Sequence, residues 1–429
     1  MTNPVIDFNK YINDPGIVSL RFSTDVAYVD SNYVHGQGSG DKHSVIVLKN
    51  TKQKISIVHP LSAFIFWKWK RKEYNTQRLQ AIHLCQFLNY ILIEERHKFR
   101  LKSLSDLSFN HGTTFLNHLL SNKRSSHSVK NIERTLVHFY RFLAEKGCAS
   151  NYNETDFEED TLSNYPSRLY TVTPFNVRYS TSYRFSQEDK NTKAIEHTLP
   201  IRYLFPFLRT ALRVAPRIAL GIYMSMFGGL RAGEVSNIRI IDLTPYGDSD
   251  ATGGMKVSLA THDLRNDIRD TAGTSRVKRQ RKQFVFNIKG VLSILYKDHM
   301  KRYHSLSPSK NDSIYTPLFI NRDGKAMTGK CIRYHFNKTK VAFIQELLSS
   351  ENPDDVITAL NLQSTKWSFH IGRGIFTNLT AKSAKNPYEV ALARGDRSIF
   401  SALTYMADTP EMKAEVEKLL EEIFMSYSI

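Results

Sequence analysis

The sequence predicts a mainly α-helical chain with a small β-sheet, an α+β fold arranged as two helical blocks. Three observations predict it. Apolar residues step by three and four along Val129, Ile132, Leu136, Phe139 and Leu143, the period of a helix that buries one face. Around 255–259 and 284–288 the spacing changes to two, the period of a strand. Between the helical blocks lies a stretch with neither period: the acidic run ETDFEED (154–160), then sequence rich in Ser, Thr, Tyr and Pro as far as 185.

Length and composition frame that prediction. At 429 residues the chain has room for two or three domains, each with its own core. A hydrophobic fraction of 41% and a charged fraction of 23% are ordinary for a folded protein. The longest uncharged apolar run lies between Arg217 and Arg231 and has 13 residues, too few to cross a bilayer. The start, MTNPVIDFNKYINDP, shows no basic segment followed by an apolar one, the mark of an export signal. Cys85, Cys148 and Cys331 are isolated, which argues against a disulfide scaffold or a zinc ribbon and fits a reducing compartment. The expectation is a cytoplasmic chain with no membrane partner. Against 41 Asp and Glu stand 59 Lys and Arg, a net charge of +18, which points to a polyanion and most often to nucleic acid.

Taken in order, residues 1–60 are β-rich: VSLRFSTDVAYV and HSVIVLKN flank the loop HGQGSGDKHS. That loop lacks the pattern of a phosphate loop, since its lysine follows Asp and precedes His. Residues 61–150 are helical. Asn75 and Thr76 would cap a helix carrying Leu84, Leu88 and Ile91, and Gly147 would stop the helix of the 129–143 stripe. The stripes are core seams. The opposite faces carry Lys68, Lys70, Arg71, Lys72, Lys123, Arg124 and Lys130, suited to solvent or to phosphate contact. Residues 151–195 form a linker, and 196–429 a second domain of mixed content. There a helix at 216–227 leads to a strand with Met255, Val257 and Leu259 on one face, answered by Phe284, Phe286 and Ile288. Nine Lys/Arg and one Asp fall between Arg276 and Arg302, the densest positive segment in the chain. At 410–426 an amphipathic helix aligns Met412, Val416, Leu419 and Ile423.

Three short segments of the second domain belong together: Gly229-Leu230-Arg231-Ala232-Gly233-Glu234, then Ser368-Phe369-His370-Ile371-Gly372-Arg373, then Arg394-Gly395-Asp396-Arg397 followed by Tyr405. Each alone is weak. In this order and spacing the chain resembles the tyrosine recombinases, the phage integrase family of DNA breaking–rejoining enzymes. GLRAGE is similar to the family's first arginine box and HIGR to the His-x-x-Arg of its second. Tyr405, 32 residues beyond Arg373, stands where the family keeps its nucleophile. The stretch 316–336 is also similar to the family's connection between hairpin and second box. The resemblance spans about 60–429, and residues 1–60 fall outside it as a possible DNA-binding arm.

The resemblance implies a helical core-binding domain over 61–150 and a tyrosine-recombinase-type catalytic domain over 196–429. It implies a site-specific recombinase or integrase of a mobile element, acting as a homo-tetramer on double-stranded DNA through a 3′-phosphotyrosyl intermediate, with accessory DNA-bending proteins as partners and neither metal nor cofactor. The chemistry agrees with the residue types. Two arginines can present forked donors to the non-bridging oxygens of a phosphodiester, which Lys does less well, and Arg231 and Arg373 are the candidates. His370, one turn from Arg373, can donate to the phosphate or carry a proton. Tyr405 needs nearby positive charge to ionise as it attacks, because a free phenol titrates near pH ~10. For the leaving 5′-oxygen the family uses a hairpin lysine. Lys278 is the best match, with Lys282 and Arg276 competing. Glu234 would support the site from behind, while Arg276, Arg279, Arg281 and Lys282 would contact DNA.

Two positions depart from the family. Asp396 stands where the family has His or Trp, so that either a neighbour, Arg394 or Arg397, supplies the donor or the site is tuned differently. Gly374 follows Arg373 where the family has His. The alternatives are a topoisomerase-like or telomere-resolving enzyme of the same chemistry, and a non-catalytic DNA-binding relative.

Overall fold

The computed structural model describes residues 19–29, 41–157, 159–162, 165–179, 196–265, 267–268, 272–304, 316–382, 384 and 386–396. Tyr405, Arg397 and the helix expected at 410–426 lie outside the described residues. The chain divides into two units, Met1–Ser186 with Arg269–Gly273, and Gln187–Ile268 with Thr274–Ile429.

The first unit begins with an antiparallel sheet in the order β1-β2-β3, with β1 Leu20–Val29, β2 Asp41–Asn50 and β3 Ile55–Val58. Helices α1 Ser62–Trp69, α2 Tyr74–Asn89, α3 Phe109–Ser121 and α4 Ser126–Glu145 follow. Strand and helix share one core, because Phe22 and Ile46 bury among Phe64, Leu84 and Leu88. Asn89 fastens the strand by its side-chain amide, accepting from Phe22 N at 2.8 Å and donating to Phe22 O at 2.9 Å. All five residues of the α4 stripe are buried. Beyond its end Gly147 takes φ +62, the left-handed conformation that favours glycine, and donates its N–H to Ala144 O at 2.9 Å.

Two local expectations shift. Helix α2 starts earlier than its proposed caps: the extended Glu73 accepts from Thr76 and Gln77 N–H, so Asn75 and Thr76 lie inside the first turn. Ile91 sits in a π-helical turn, Tyr90–Glu94, and is still buried. Part of the aperiodic stretch forms strands. Strands β4 Glu159–Leu162 and β5 Tyr165–Thr171 pair antiparallel. Thr173–Tyr179 then returns to the helical core, where Phe175 meets Tyr140 edge-on at 5.2 Å. Tyr179 Oη and Thr173 Oγ1 donate to the buried Glu133 carboxylate at 2.6 and 2.8 Å. Polar β-formers such as Ser, Thr and Tyr build strands without leaving a hydrophobic period to read.

The second unit is organised around α6, Pro216–Gly228, whose residues from Ile218 to Gly228 are all buried. Against it pack α5 Leu204–Val214 and, further along the chain, α8 Val291–Tyr303, α9 Gly329–Leu348 and α11 Ile371–Ala381. The short α7 Ala232–Val235 follows α6, while α10 Pro353–Ser364 packs on α9, and α12 Pro387–Arg394 packs on α11. Strands β6 Leu243–Tyr246, β7 Gly254–Leu259 and β8 Arg281–Val285 form an antiparallel sheet in that order. Met255, Val257 and Leu259 are buried, as their alternation requires. Their partners are not Phe284, Phe286 and Ile288. The register places Val285 opposite Met255 and Gln283 opposite Val257, and these two are the buried ones. Phe284 takes the other face against Tyr246, and Phe286 is exposed. A shift of one residue in a period-two element exchanges its faces. Among the described residues no helix is long and apolar enough to cross a membrane.

Candidate anion-binding site

The first two sequence segments and the third as far as Asp396 meet in the second unit. Helix α6 stops at Gly229, whose φ of +68 turns the chain and whose carbonyl accepts from Arg373. Arg231 then leads into α7. Its backbone N–H donates to Glu234 Oε2 at 2.8 Å and its Nη1 to Oε1 at 3.1 Å. From strand β8, Arg281 Nη2 donates to the same carboxylate at 3.0 Å. Glu234 is 1% exposed; burial works to raise its pKa, and the pairing with Arg281 and Arg231 overrides that and lowers it.

Arg373 lies in the first turn of α11 and is fully buried. Its Nη1 donates to Gly229 O, and its Nη2 to Arg394 O at 3.1 Å and to Asp396 Oδ1 at 2.6 Å. Arg394 closes α12, Gly395 follows at φ +66, and this corner brings Asp396 back toward the arginines. Gln283 of β8 holds the corner by donating to Ala393 O at 2.8 Å, and a Cβ on Gly395 would strike the Arg281 side chain.

The Asp396 carboxylate therefore sits among three guanidinium groups. Its Oδ1 is 3.3 Å from Arg231 Nη2 and 2.6 Å from Arg373 Nη2, and its Oδ2 is 3.2 Å from Arg394 Nη2. Burial acts to raise its pKa, but the charges of Arg373, Arg394 and Arg231 bring the net shift below the usual carboxylate range. Loss of water, then the charges of Arg231 and Arg394, lower Arg373 to about 10 against the pull of Asp396 and Glu234, so it remains a cation at neutral pH. His370, immediately before α11, is exposed as a residue, yet the protein around its ring, then Arg231, Arg373, Arg394 and His197, push it down to about 4. It is neutral near pH 7. Four guanidiniums (Arg231, Arg281, Arg373, Arg394) against two carboxylates (Glu234, Asp396) leave this cluster at 4 − 2 = +2.

The structure thus brings together Arg231, His370, Arg373, Glu234 and Asp396. Lys278 is exposed at the bend just before β8, and Arg279 and Lys282 are exposed beside it, while Arg276 is half-buried. Lys68, Lys70, Arg71, Lys123, Arg124 and Lys130 are exposed in the first unit. Arg281 has a different place from its neighbours: its side chain is 8% exposed and committed to Glu234. Strand alternation was the available signal, since Arg281, Gln283 and Val285 share a face. Sequence reasoning also missed His197. A Cβ on Gly374 would collide with the His197 carbonyl, so main chain fills the space in which another residue would carry a side chain.

No family model matches the chain, and no curated protein is similar to it in sequence. Solved structures are similar. The XerH site-specific recombinase, bound to a palindromic difH substrate in a post-cleavage complex, is 17% identical with a TM-score of 0.52, over 82% of each chain. The Tn1549 transposon integrase in complex with transposon right end DNA is 16% identical with a TM-score of 0.48, over 83% of this chain and 98% of that one. A lambda integrase dimer bound to a COC′ core site is 12% identical with a TM-score of 0.47, over 81% and 94%. The likeness to the first, joined to the arginine cluster built from three separated segments, gives the conclusion that this chain has the fold of the tyrosine recombinases.

Proposed function

We propose that the chain is a site-specific DNA recombinase, the integrase of a mobile element, that cuts and rejoins DNA through a 3′-phosphotyrosyl intermediate. The observation that carries this reading is the convergence of Arg231, Arg373 and Arg394 within 3.3 Å of one anionic group, with His370 beside them. Such a seat holds the developing charge of a pentavalent phosphate without a metal. Tyr405 gives up its phenolic proton to solvent as its Oη attacks phosphorus, a Tyr–O–P bond forms and the bond to the 5′-oxygen breaks. Lys278, with Lys282 or Arg276 as substitutes, protonates that oxygen. Attack by a second 5′-hydroxyl on the ester reverses the step and joins a new partner, so the phosphodiester energy is kept. The exposed cations of residues 61–150 and of the segment before β8 hold duplex DNA, and paired inverted sites are bridged by a tetramer.

The test uses DNA flanking the gene, nicked so that the released fragment diffuses away. A denaturation-resistant protein–DNA adduct that disappears in Tyr405→Phe supports the mechanism; no adduct from the wild type on a site it footprints sinks it. The carboxylate of Asp396 at the seat favours one second reading, a DNA-binding relative without strand transfer. That reading predicts the footprint without the adduct.

A further inference from the structure

We propose that Asp396 is the resident anion of this seat: its carboxylate holds the place between Arg231, Arg373 and Arg394 that a DNA phosphate takes, and DNA engages the arginines by displacing it. This rests on the reading that the seat receives a backbone phosphate.

Arg373 and Arg394 are 0% and 1% exposed on their side chains, so an incoming phosphate finds no free surface on either. Arg373 spends its two terminal nitrogens on three acceptors. Two of these, Gly229 O and Arg394 O, are main chain at the ends of helices. Asp396 is the third and the one that rotation about side-chain bonds can remove. It follows Gly395, whose left-handed backbone ends α12. A carboxylate and a phosphodiester both carry one negative charge, so the exchange leaves the charge of the site unchanged. Geometry separates them. The carboxylate meets three guanidiniums with two oxygens, and its Oδ1 is shared at 2.6 and 3.3 Å. The tetrahedral phosphate offers non-bridging oxygens in directions that a planar group lacks. Arg231, at 27% exposure, is the one arginine of the three that DNA can touch before the exchange. Encounter is then separated from full engagement, and free anions compete against a group tethered in place.

The experiment measures inorganic phosphate binding to the full chain by thermal shift and by 31P line broadening, at fixed ionic strength against chloride. For the wild type, phosphate shifts the melting temperature no more than chloride does. Asp396→Asn removes the carboxylate that the three arginines share; its melting temperature falls, phosphate restores it, and phosphate binds roughly tenfold or more tighter than to wild type. Asp396→Glu, which keeps the charge, stays phosphate-insensitive. A purely structural Asp396 predicts the same loss of stability in the Asn variant with no phosphate-specific rescue, and that result overturns the proposal. If the Asn variant folds in neither buffer, the wild type decides: a phosphate-specific rise in its melting temperature overturns the proposal, and none sustains it. The covalent-adduct assay is independent. An adduct with no phosphate rescue rejects the resident anion and keeps the reaction; rescue without an adduct does the reverse.

Discussion

Glu234 and Arg281, 47 residues apart, form an ion pair that is almost wholly closed to solvent, with Arg281 Nη2 3.0 Å from Glu234 Oε2. The carboxylate also carries Arg231, so one buried acid orients two cations, one facing the seat and one behind it. Glu234→Ala removes the carboxylate they share, leaving Arg231 with Asp396 and Arg281 with the neutral Gln283. Removing one member of a buried pair costs about 3–5 kcal/mol, because the other charge stays buried. Urea unfolding should show that loss for Glu234→Ala and for Arg281→Ala, and less than the sum for the double variant.

Arg231 and Arg373 should separate in their failures. Arg231 is partly exposed and Arg373 is not, and Arg373 donates to the carbonyls of Gly229 and Arg394. Arg231→Ala is expected to fold like the wild type and to lose the covalent adduct by roughly 10²–10³-fold, the scale of one lost transition-state donor. Arg373→Ala should lose the adduct and also lower the melting temperature, since the carbonyls of Gly229 and Arg394 each lose a buried donor. Circular dichroism melts run beside the adduct assay check both.

Gly374 is expected to tolerate no side chain. A Cβ there strikes the His197 carbonyl, which is main chain and cannot rotate away. Gly374→Ala should cost about 1–3 kcal/mol, as overpacking does elsewhere. Gly374→His should be worse still. A melting temperature equal to the wild type's would mean that the segment around His197 can move aside.

Stability should fall in mild acid. His83, His138, His299 and His370 are all lowered to about 4, in each case first by loss of water around the ring. In the unfolded chain they titrate near ~6.5. Between those values the unfolded state binds more protons, so stability is fully present above pH ~6.5 and is lost as pH falls toward 4. A fully buried ring such as His299 accounts for up to roughly 3 kcal/mol of that loss. Glu234 and Asp396 are shifted down rather than up, so a His299 variant, compared with the wild type, picks out the histidine part of the slope. Urea midpoints at several pH values between 7 and 4.5 measure the slope, and His299→Phe should flatten it.

Much of this was legible in the sequence where one physical rule acted alone. The α4 stripe obeyed the helical period, and Gly147 ended the helix in the conformation glycine favours. Arg231, His370 and Arg373 were found as short segments, and folding brings them together. What the sequence hid were choices between equivalent readings. In the run Arg279-Gln280-Arg281-Lys282, all the cations look alike until a strand sends Arg281 inward and Lys282 outward. Asp396 read as a departure from a pattern; its place among three arginines depends on the corner at Gly395, which no local period announces.

The Arg373 side chain reaches across 144 residues to Gly229 and across 21 to Arg394. Joints of that span close late, since the loop entropy is spent before the contact returns anything. A nascent or partly unfolded chain therefore holds the arginines of the anion seat without the seat itself. On the proposed function, the capacity to break DNA is then confined to the finished molecule.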